Sequence, residues 1–224
     1  VFPRAYTCCP QPEWARKSLQ SGRFPHAIQA GHFDRILPVL AADNIDLPAV
    51  LSGRDRRTIL AYTQPMGDGV DSPLDPSLKV PLAICAPGLL DPRIAIEILF
   101  STVDLAPTLL GLCGLPVPAS AQGRDLSALL LGKSADLPDS VYIEGGVGEK
   151  DPWRAVIRGF DKLVTDLNGN VTHLYNLAGD PREETNLAQK PSTQLTRDAL
   201  VALEREWMRR LGDGVDPSGL RIRP

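Results

Sequence analysis

Two adjacent thiols near the N-terminus, Cys8 and Cys9, are the side chains whose type could supply a nucleophile ahead of a predicted helix. Adjacent cysteines rarely form a disulfide with each other, and the spacing of the four cysteines fits no zinc-binding pattern. We expect Cys8 and Cys9 to be partly buried thiols at the end of a strand. Cys85 and Cys113 are expected to be small buried core residues.

The three histidines offer no obvious catalytic grouping. His26 and His32 are expected at the surface or in turns. His173 lies in an alternating strand pattern, where a packed or hydrogen-bonded role is commoner than a catalytic one.

Composition excludes some classes of partner. The chain has 224 residues, with 24 basic and 27 acidic side chains and a formal charge of -3, so we expect no nucleic acid or anionic membrane partner. No apolar run approaches the roughly 20 residues that span a bilayer. No signal-peptide pattern is visible after Val1. Compartment and oligomeric state stay open.

The elements that must position these residues follow from local patterns. Residues 1–7 and 58–63 are predicted strands, and residues 80–85 form an apolar run typical of a strand buried in a parallel sheet. Pro12, Glu13 and Gly22 predict a helix over residues 13–21. Further helices are predicted over residues 33–42 and from Asp104, as N-cap, to residue 113.

The C-terminal part differs in its predicted secondary structure. Residues 153–164 and 171–177 are predicted strands joined by Asn168-Gly169-Asn170, a hairpin signal. Residues 195–211 predict an amphipathic helix with Leu195, Ala199, Leu203 and Trp207 on its apolar face. The predicted fold is α/β: a mainly parallel sheet flanked by helices over residues 1–141, and a small antiparallel sheet with a terminal helix over residues 142–224.

Three stretches, in order along the chain, resemble the sulfatase family. LYNLAGDPREETNLA is similar to that family's C-terminal LYDLxxDPxExxNLA pattern. VPLAI, VDLAPTLL, GLP and GRDL together resemble a second family block, and RKSLQSGRFPH resembles RAALLTGRYPH. These stretches cover residues 174–188, residues 80–126 in four pieces, and residues 16–26. The resemblance implies an incomplete sulfatase core in residues 1–141 and a C-terminal sulfatase subdomain, and sulfuric ester hydrolysis as the family activity.

The family nucleophile is a Cys or Ser in C/S-x-P-x-R that is converted to formylglycine. Aligned without gaps, Arg16 matches the motif arginine, and is the family catalytic position that can be carried over. Pro12 then occupies the nucleophile position and Trp14 the motif proline. The alternative alignment takes Cys8-Cys9-Pro10 as C-x-P, and needs four extra residues before the helix.

The family also uses calcium, held by acids and an amide. The paired acids of the family's first strand would lie before Val1. Pro65 and Met66 stand where the family's SDHG motif has Asp and His. Gln64, Asp68 and Asp71 carry oxygen atoms in the same loop, but two or three loop groups rarely suffice for calcium. We expect that this chain binds no calcium.

Three functional hypotheses remain. The first is a sulfatase-family hydrolase whose catalysis is impaired because the chain is truncated or its catalytic domain is degenerate. Its partner would be a small-molecule sulfate ester, or it would have no partner. The second is a non-catalytic binding or structural protein, holding a sulfated or phosphorylated ligand near Pro12. The third is a phosphate or phosphonate ester hydrolase of the same superfamily. The family is often secreted or periplasmic, but this chain's own compartment is not predicted.

Overall fold

A computed structural model describes residues 1–29, 58–67, 71–91, 96–133 and 135–213. The predicted helix over residues 33–42, together with His32 and Asp68, lies outside these ranges. The strands are β1 (Ala5–Tyr6), β2 (Leu60–Thr63), β3 (Leu82–Cys85), β4 (Phe100–Ser101), β5 (Ser140–Gly145), β6 (Trp153–Arg158), β7 (Asp161–Asp166) and β8 (Val171–Asn176). The helices are α1 (Pro12–Ser21), α2 (Pro25–Gln29), α3 (Asp75–Leu78), α4 (Leu105–Leu112), α5 (Ser127–Leu130) and α6 (Gln194–Leu211). Two 3-10 turns cover Thr102–Asp104 and Pro191–Thr193. Over the described ranges, no helix is both long and apolar enough to cross a membrane.

The N-terminal part joins a parallel and an antiparallel strand pair. β1 pairs parallel to β4, whereas β2 and β3 pair antiparallel. The N–H of Phe2 donates to the carbonyl of Leu82, and that of Val80 donates to the carbonyl of Ala5, so the two pairs are connected. The α/β class is confirmed, but the expected parallel direction of β2 against β3 is wrong. The one helix described between them is the four-residue α3, too short for the crossover that parallel neighbours require.

The C-terminal part is a four-stranded antiparallel sheet in the order β5-β6-β7-β8, as predicted in class. The single strand expected over residues 153–164 is wrong, because Gly159-Phe160 turns the chain back into a hairpin of β6 and β7. Gly159 has φ +56°, a left-handed conformation that suits glycine in a tight turn. The expected pairing of the segment ending at Val164 with β8 is confirmed, with Leu163 opposite Leu174.

The terminal helix α6 packs on β6 and β7 of this sheet. Trp207 is 6% exposed and Leu203 packs against the same core, which confirms the predicted docking face. Leu195 is 87% exposed and Ala199 is exposed as well, however, so their expected places on that face are wrong. The buried stripe is formed by Leu200, Glu204, Trp207 and Met208. A carboxylic acid therefore occupies one core position.

Helix α1 confirms its sequence signals. Pro12 is its first residue, and Gly22 ends it with φ +64° while its N–H donates to the Ser18 carbonyl. Asp104 differs from its predicted role as a plain N-cap of α4. It is the last residue of the 3-10 turn that precedes α4, its carboxylate accepts from the Ser101 N–H, and it pairs with Arg124 at 2.8 Å.

The division at residues 141 and 142 stays a prediction. Strand β5 begins at Ser140, next to the proposed boundary. One apolar cluster contains Cys8, Phe24 and Val103 from the first part together with Tyr142 and Trp207 from the second.

Candidate functional site

The N-terminus of α1 is where the family resemblance places the nucleophile. Pro12 is exposed there, carries no N–H, and no side chain caps this helix end. Glu13 in the first turn pairs with Lys17 at 2.6 Å. Arg16 is exposed, and its side chain forms no hydrogen bond or ion pair with the part of the chain that the structure describes. The catalytic role assigned to Arg16 stays a prediction.

Cys8 and Cys9 lie just before α1 and are both fully buried, which is more burial than the sequence predicted. The N–H of Cys8 donates to Thr102 Oγ1 at 3.0 Å, and its carbonyl accepts from the N–H of Glu144. Burial raises the pKa of the Cys8 thiol to about 12, although a hydrogen bond with Ser18 opposes this. Burial likewise raises the pKa of Cys9. Neither residue can supply much thiolate near neutral pH.

The remaining two cysteines are less buried than expected. Cys85 at the end of β3 is half-buried, and Cys113 is exposed. Cys113 is the C-terminal cap of α4, so its side chain leaves the core where the helix ends.

Hydrogen bonds connect the start of α1 and the segment before it to neighbouring loops. Gln11 accepts from the N–H of Val147 at 2.8 Å and donates to Glu149 Oε1 at 3.0 Å. Thr7 Oγ1 lies 2.7 Å from the Pro65 carbonyl. The loop after β2, which carries the sequence-predicted metal candidates, is therefore adjacent to Cys8 and Cys9.

The calcium donors in this loop remain few. Gln64 is half-buried, and its side-chain amide forms no hydrogen bond to the described residues. Asp71 accepts from the N–H of Gly146 at 3.3 Å, and its Oδ1 is buried without a partner among the described residues. Burial, and then the charge of Glu149, raise the pKa of Asp71. Two carboxylates beside one amide do not provide the six or more oxygens that calcium takes, so the described residues do not fit this ion.

A buried cluster that the sequence interpretation missed surrounds His26. His26 lies in helix α2 and only 16% of its side chain is exposed, so its expected position at the surface or in a turn is wrong. Its Nδ1 lies 2.6 Å from Glu144 Oε1, and Glu144 is completely buried in β5. Asp213, just beyond α6, accepts two hydrogen bonds from Arg154 and one from Tyr142. One signal was available: Glu144 is an acid in the otherwise apolar run from Val141.

The atoms of His26, Glu144 and Asp213 that could hold a metal lie within 4.8 Å of one another. Arg154 Nε and Nη2 lie 2.5 and 2.9 Å from the two Asp213 oxygens, so a divalent ion would have to displace a buried guanidinium. We therefore interpret the cluster as an ion-pair network. His173 is separate from it, half-exposed on β8, and burial lowers its pKa.

The C-terminal stretch that carries the strongest resemblance is scaffold. Asp180 accepts the N–H groups of Glu184 and Thr185, and Asn186 Oδ1 accepts those of Leu174 and Ala188. Glu183 has a backbone φ of +58°. Its side chain forms a buried ion pair with Lys162, and Lys162 Nζ also lies 3.0 Å from Asp75 Oδ1. These contacts hold the loop after β8 against α3 and β7.

Comparison with known proteins identifies the family. The family described as N-sulphoglucosamine sulphohydrolase, C-terminal, matches residues 73–207. This chain belongs to that sulfatase family. An endo-4-O-sulfatase of Bacteroides thetaiotaomicron is 31% identical over 143 residues, which are 60% of this chain and 28% of that protein. The chain thus spans less than half the length of this relative.

Solved structures agree in fold. A 2-O GAG sulfatase is 28% identical, with a TM-score of 0.65 over 70% of this chain and 37% of that one. A phosphonate monoester hydrolase from Silicibacter pomeroyi shares the fold at 22% identity, with a TM-score of 0.60 over 76% of this chain and 38% of that one. A further structure, at 23% identity and a TM-score of 0.64 over 73% and 36%, is described as a complex with its substrate D-glucosamine-2-N,6-O-disulfate.

Proposed function

We propose that this chain is a sulfatase-family polypeptide that does not itself hydrolyse sulfate esters. The observation that supports this proposal is the start of α1. Pro12, which the ungapped family alignment assigns to the nucleophile position, is the first residue of that helix, and both nearby thiols are fully buried. Sulfuryl transfer needs an accessible nucleophile whose charge the site tolerates. A side chain at position 8 or 9 is out of contact with solvent, so it does not meet that need either as a thiol or as formylglycine.

The charges around α1 also argue against a site for a sulfated ligand there. Glu13, Asp71 and Glu149 carry acidic groups near the helix end, and the first helical residue offers no N–H. Lys17 is already paired with Glu13. An anionic group would meet like charges where a helix end is otherwise attractive to anions. The non-catalytic binding hypothesis therefore lacks support at this position.

The substrate class that the scaffold serves is proposed from its relatives. Proteins with this fold include an endo-4-O-sulfatase and an enzyme whose substrate is a disulfated glucosamine. We propose sulfated carbohydrate as the class for which the scaffold is built. A phosphate or phosphonate ester hydrolase that used a side-chain nucleophile at the start of α1 would meet the same obstacle, because Pro12 has no reactive group and both thiols are buried.

A turnover assay tests the proposal. The 224-residue chain is co-expressed with a formylglycine-generating enzyme and incubated with calcium and either an aryl sulfate or an aryl phosphonate. The matched control is the Cys8→Ala, Cys9→Ala double variant, which removes both thiols near α1. We expect background rates from both proteins with both esters. Turnover of the aryl sulfate that disappears in the double variant would restore the Cys8-Cys9-Pro10 alignment and contradict the proposal.

A further inference from the structure

The C-terminal end of α6 is held by two side chains from other parts of the fold. His26 Nε2 lies 3.1 Å from the carbonyl oxygen of Leu211, the last residue of α6. Gln122 Nε2 donates to the same carbonyl at 3.3 Å. The N–H of Asp213 then donates back to the Met208 carbonyl, so the chain just beyond the helix is folded into the cluster.

Both ring nitrogens of His26 face acceptors. Nδ1 is 2.6 Å from Glu144 Oε1 and Nε2 is 3.1 Å from the Leu211 carbonyl. A carboxylate and a carbonyl only accept, and neutral imidazole has a single N–H, so only the imidazolium satisfies both contacts. A cation is also favoured at the C-terminal end of a helix, where the last carbonyls lack partners.

With Glu144 and Asp213 both ionised, the charges of the cluster balance when His26 holds two protons. Arg154 and protonated His26 are opposed by Glu144 and Asp213, and Tyr142 donates to Asp213 at 2.5 Å. Loss of the His26 proton leaves one uncompensated negative charge at a buried site, which is costly. Burial by itself lowers the pKa of His26, but the charge and hydrogen bond of Glu144 raise it above its ordinary value.

We propose that His26, Glu144, Arg154 and Asp213 form an acid-dependent clasp that fastens the end of α6 to α2 and the C-terminal sheet. Protonated His26 closes the clasp and neutral His26 loosens it. Because the folded chain retains this proton better than the unfolded chain, the stabilisation is complete below pH 6.5 and is lost as the pH rises through the pKa of folded His26. The clasp does not depend on hydrolytic activity.

Other ionisable groups around the clasp must be separated from His26. Glu204 on α6 interacts with Arg154 and Asp213, and burial raises its pKa as well. The experiments therefore use a Glu204→Gln background, in which Glu204 no longer contributes to the pH dependence. Tyr142 stays a donor there, since burial and Asp213 raise its pKa.

Nuclear magnetic resonance of the full chain with 15N-labelled histidine gives the first test. We expect His26 to be doubly protonated at pH 7, in the unmodified chain and in the Glu204→Gln background. His26→Gln assigns the signal by its loss, and His173→Gln, on the half-exposed β8 histidine, is the control that leaves it unchanged. A neutral His26 with one N–H at pH 7 would overturn the proposal.

Hydrogen exchange of the amides in residues 209–213 gives the second test, after correction for the intrinsic pH dependence of exchange. We expect their protection to fall about tenfold per pH unit between pH 6.5 and the pKa of folded His26. His26→Gln should remove this dependence, and His173→Gln should preserve it. If His26→Gln does not fold, the protonation state of His26 and the pH dependence of exchange, both measured on chains that retain His26, still test the proposal. Protection that is independent of pH in those chains would contradict the clasp.

Discussion

Replacing Glu204 by Gln tests the reasoning about the buried face of α6. Glu204 is 3% exposed, and its Oε2 accepts from Thr165 Oγ1 at 2.8 Å. Its Oε1 is buried with no hydrogen-bond partner among the described residues. Burial raises the pKa of Glu204 from 4.5 to about 8, with Thr165 and Arg154 opposing the rise. The protonated acid is therefore the form that the core accepts.

The sign and size of the effect follow from proton linkage. The folded chain binds this proton more tightly than the unfolded chain, so stability falls as the pH rises from about 4.5 to about 8. At about 1.4 kcal/mol per pH unit, the full cost reaches ~5 kcal/mol above pH 8 and ~3 kcal/mol at pH 7. Gln is nearly isosteric and cannot ionise, so it avoids this cost. We expect Glu204→Gln to stabilise the chain increasingly from pH 5 to pH 8.5.

Urea unfolding followed by tryptophan fluorescence at several pH values measures this difference. Comparing variant with wild type at each pH cancels the contribution of His26, because both proteins contain it. Glu206→Gln is the matched control on the same helix. Glu206 is exposed and, among the described residues, forms an ion pair with Arg209, so the change should alter the free energy of unfolding by about 0.5 kcal/mol or less. A Glu204→Gln advantage that does not grow with pH would refute the assignment of a buried, protonated acid.

Two other predictions concern buried groups elsewhere. A thiol-reactive reagent should modify exposed Cys113 in the native chain but reach Cys8 and Cys9 only after denaturation, as measured by mass spectrometry. Rapid labelling of Cys8 or Cys9 in the native chain would show that the segment before α1 is accessible to solvent. Lys162→Ala should lower the free energy of unfolding by about 3–5 kcal/mol, because Glu183 loses its buried partner. Lys133→Ala, at an exposed position, should lower it little in the same urea titration. Equally small effects of the two substitutions would contradict a buried ion pair.

Local signals made helix α1 predictable, while pairing direction was not. Pro12, Glu13 and Gly22 lie within or beside the helix, so the sequence carries its start and end. The apolar run of β3 indicates burial but does not say in which direction its neighbour runs. Within residues 153–164, Gly159 lies between the polar residues Arg158 and Asp161, but this turn signal is weaker than the Asn168-Gly169-Asn170 signal that the sequence interpretation used.

In the candidate site, too, local sequence signals allowed a prediction and contacts between distant residues did not. The proposed loss of the nucleophile rests on the sequence alone, because the ungapped alignment to the family motif around Arg16 places Pro12 at that position. The clasp could not be predicted from the sequence, because His26 contacts Glu144 and Leu211, which are 118 and 185 residues away along the chain. Burial of one acid in an apolar strand gives a hint, but its partner is known only from the fold.

The central claim is that this chain presents no residue able to become the sulfatase nucleophile. Its most direct test is the mass of the tryptic peptide covering residues 5–16, which contains Cys8, Cys9 and Pro12. The peptide is taken from the chain co-expressed with a formylglycine-generating enzyme, with a known substrate of that enzyme as positive control. We predict that both cysteines remain unmodified thiols while the control is converted. Formylglycine at position 8 or 9 would contradict the account.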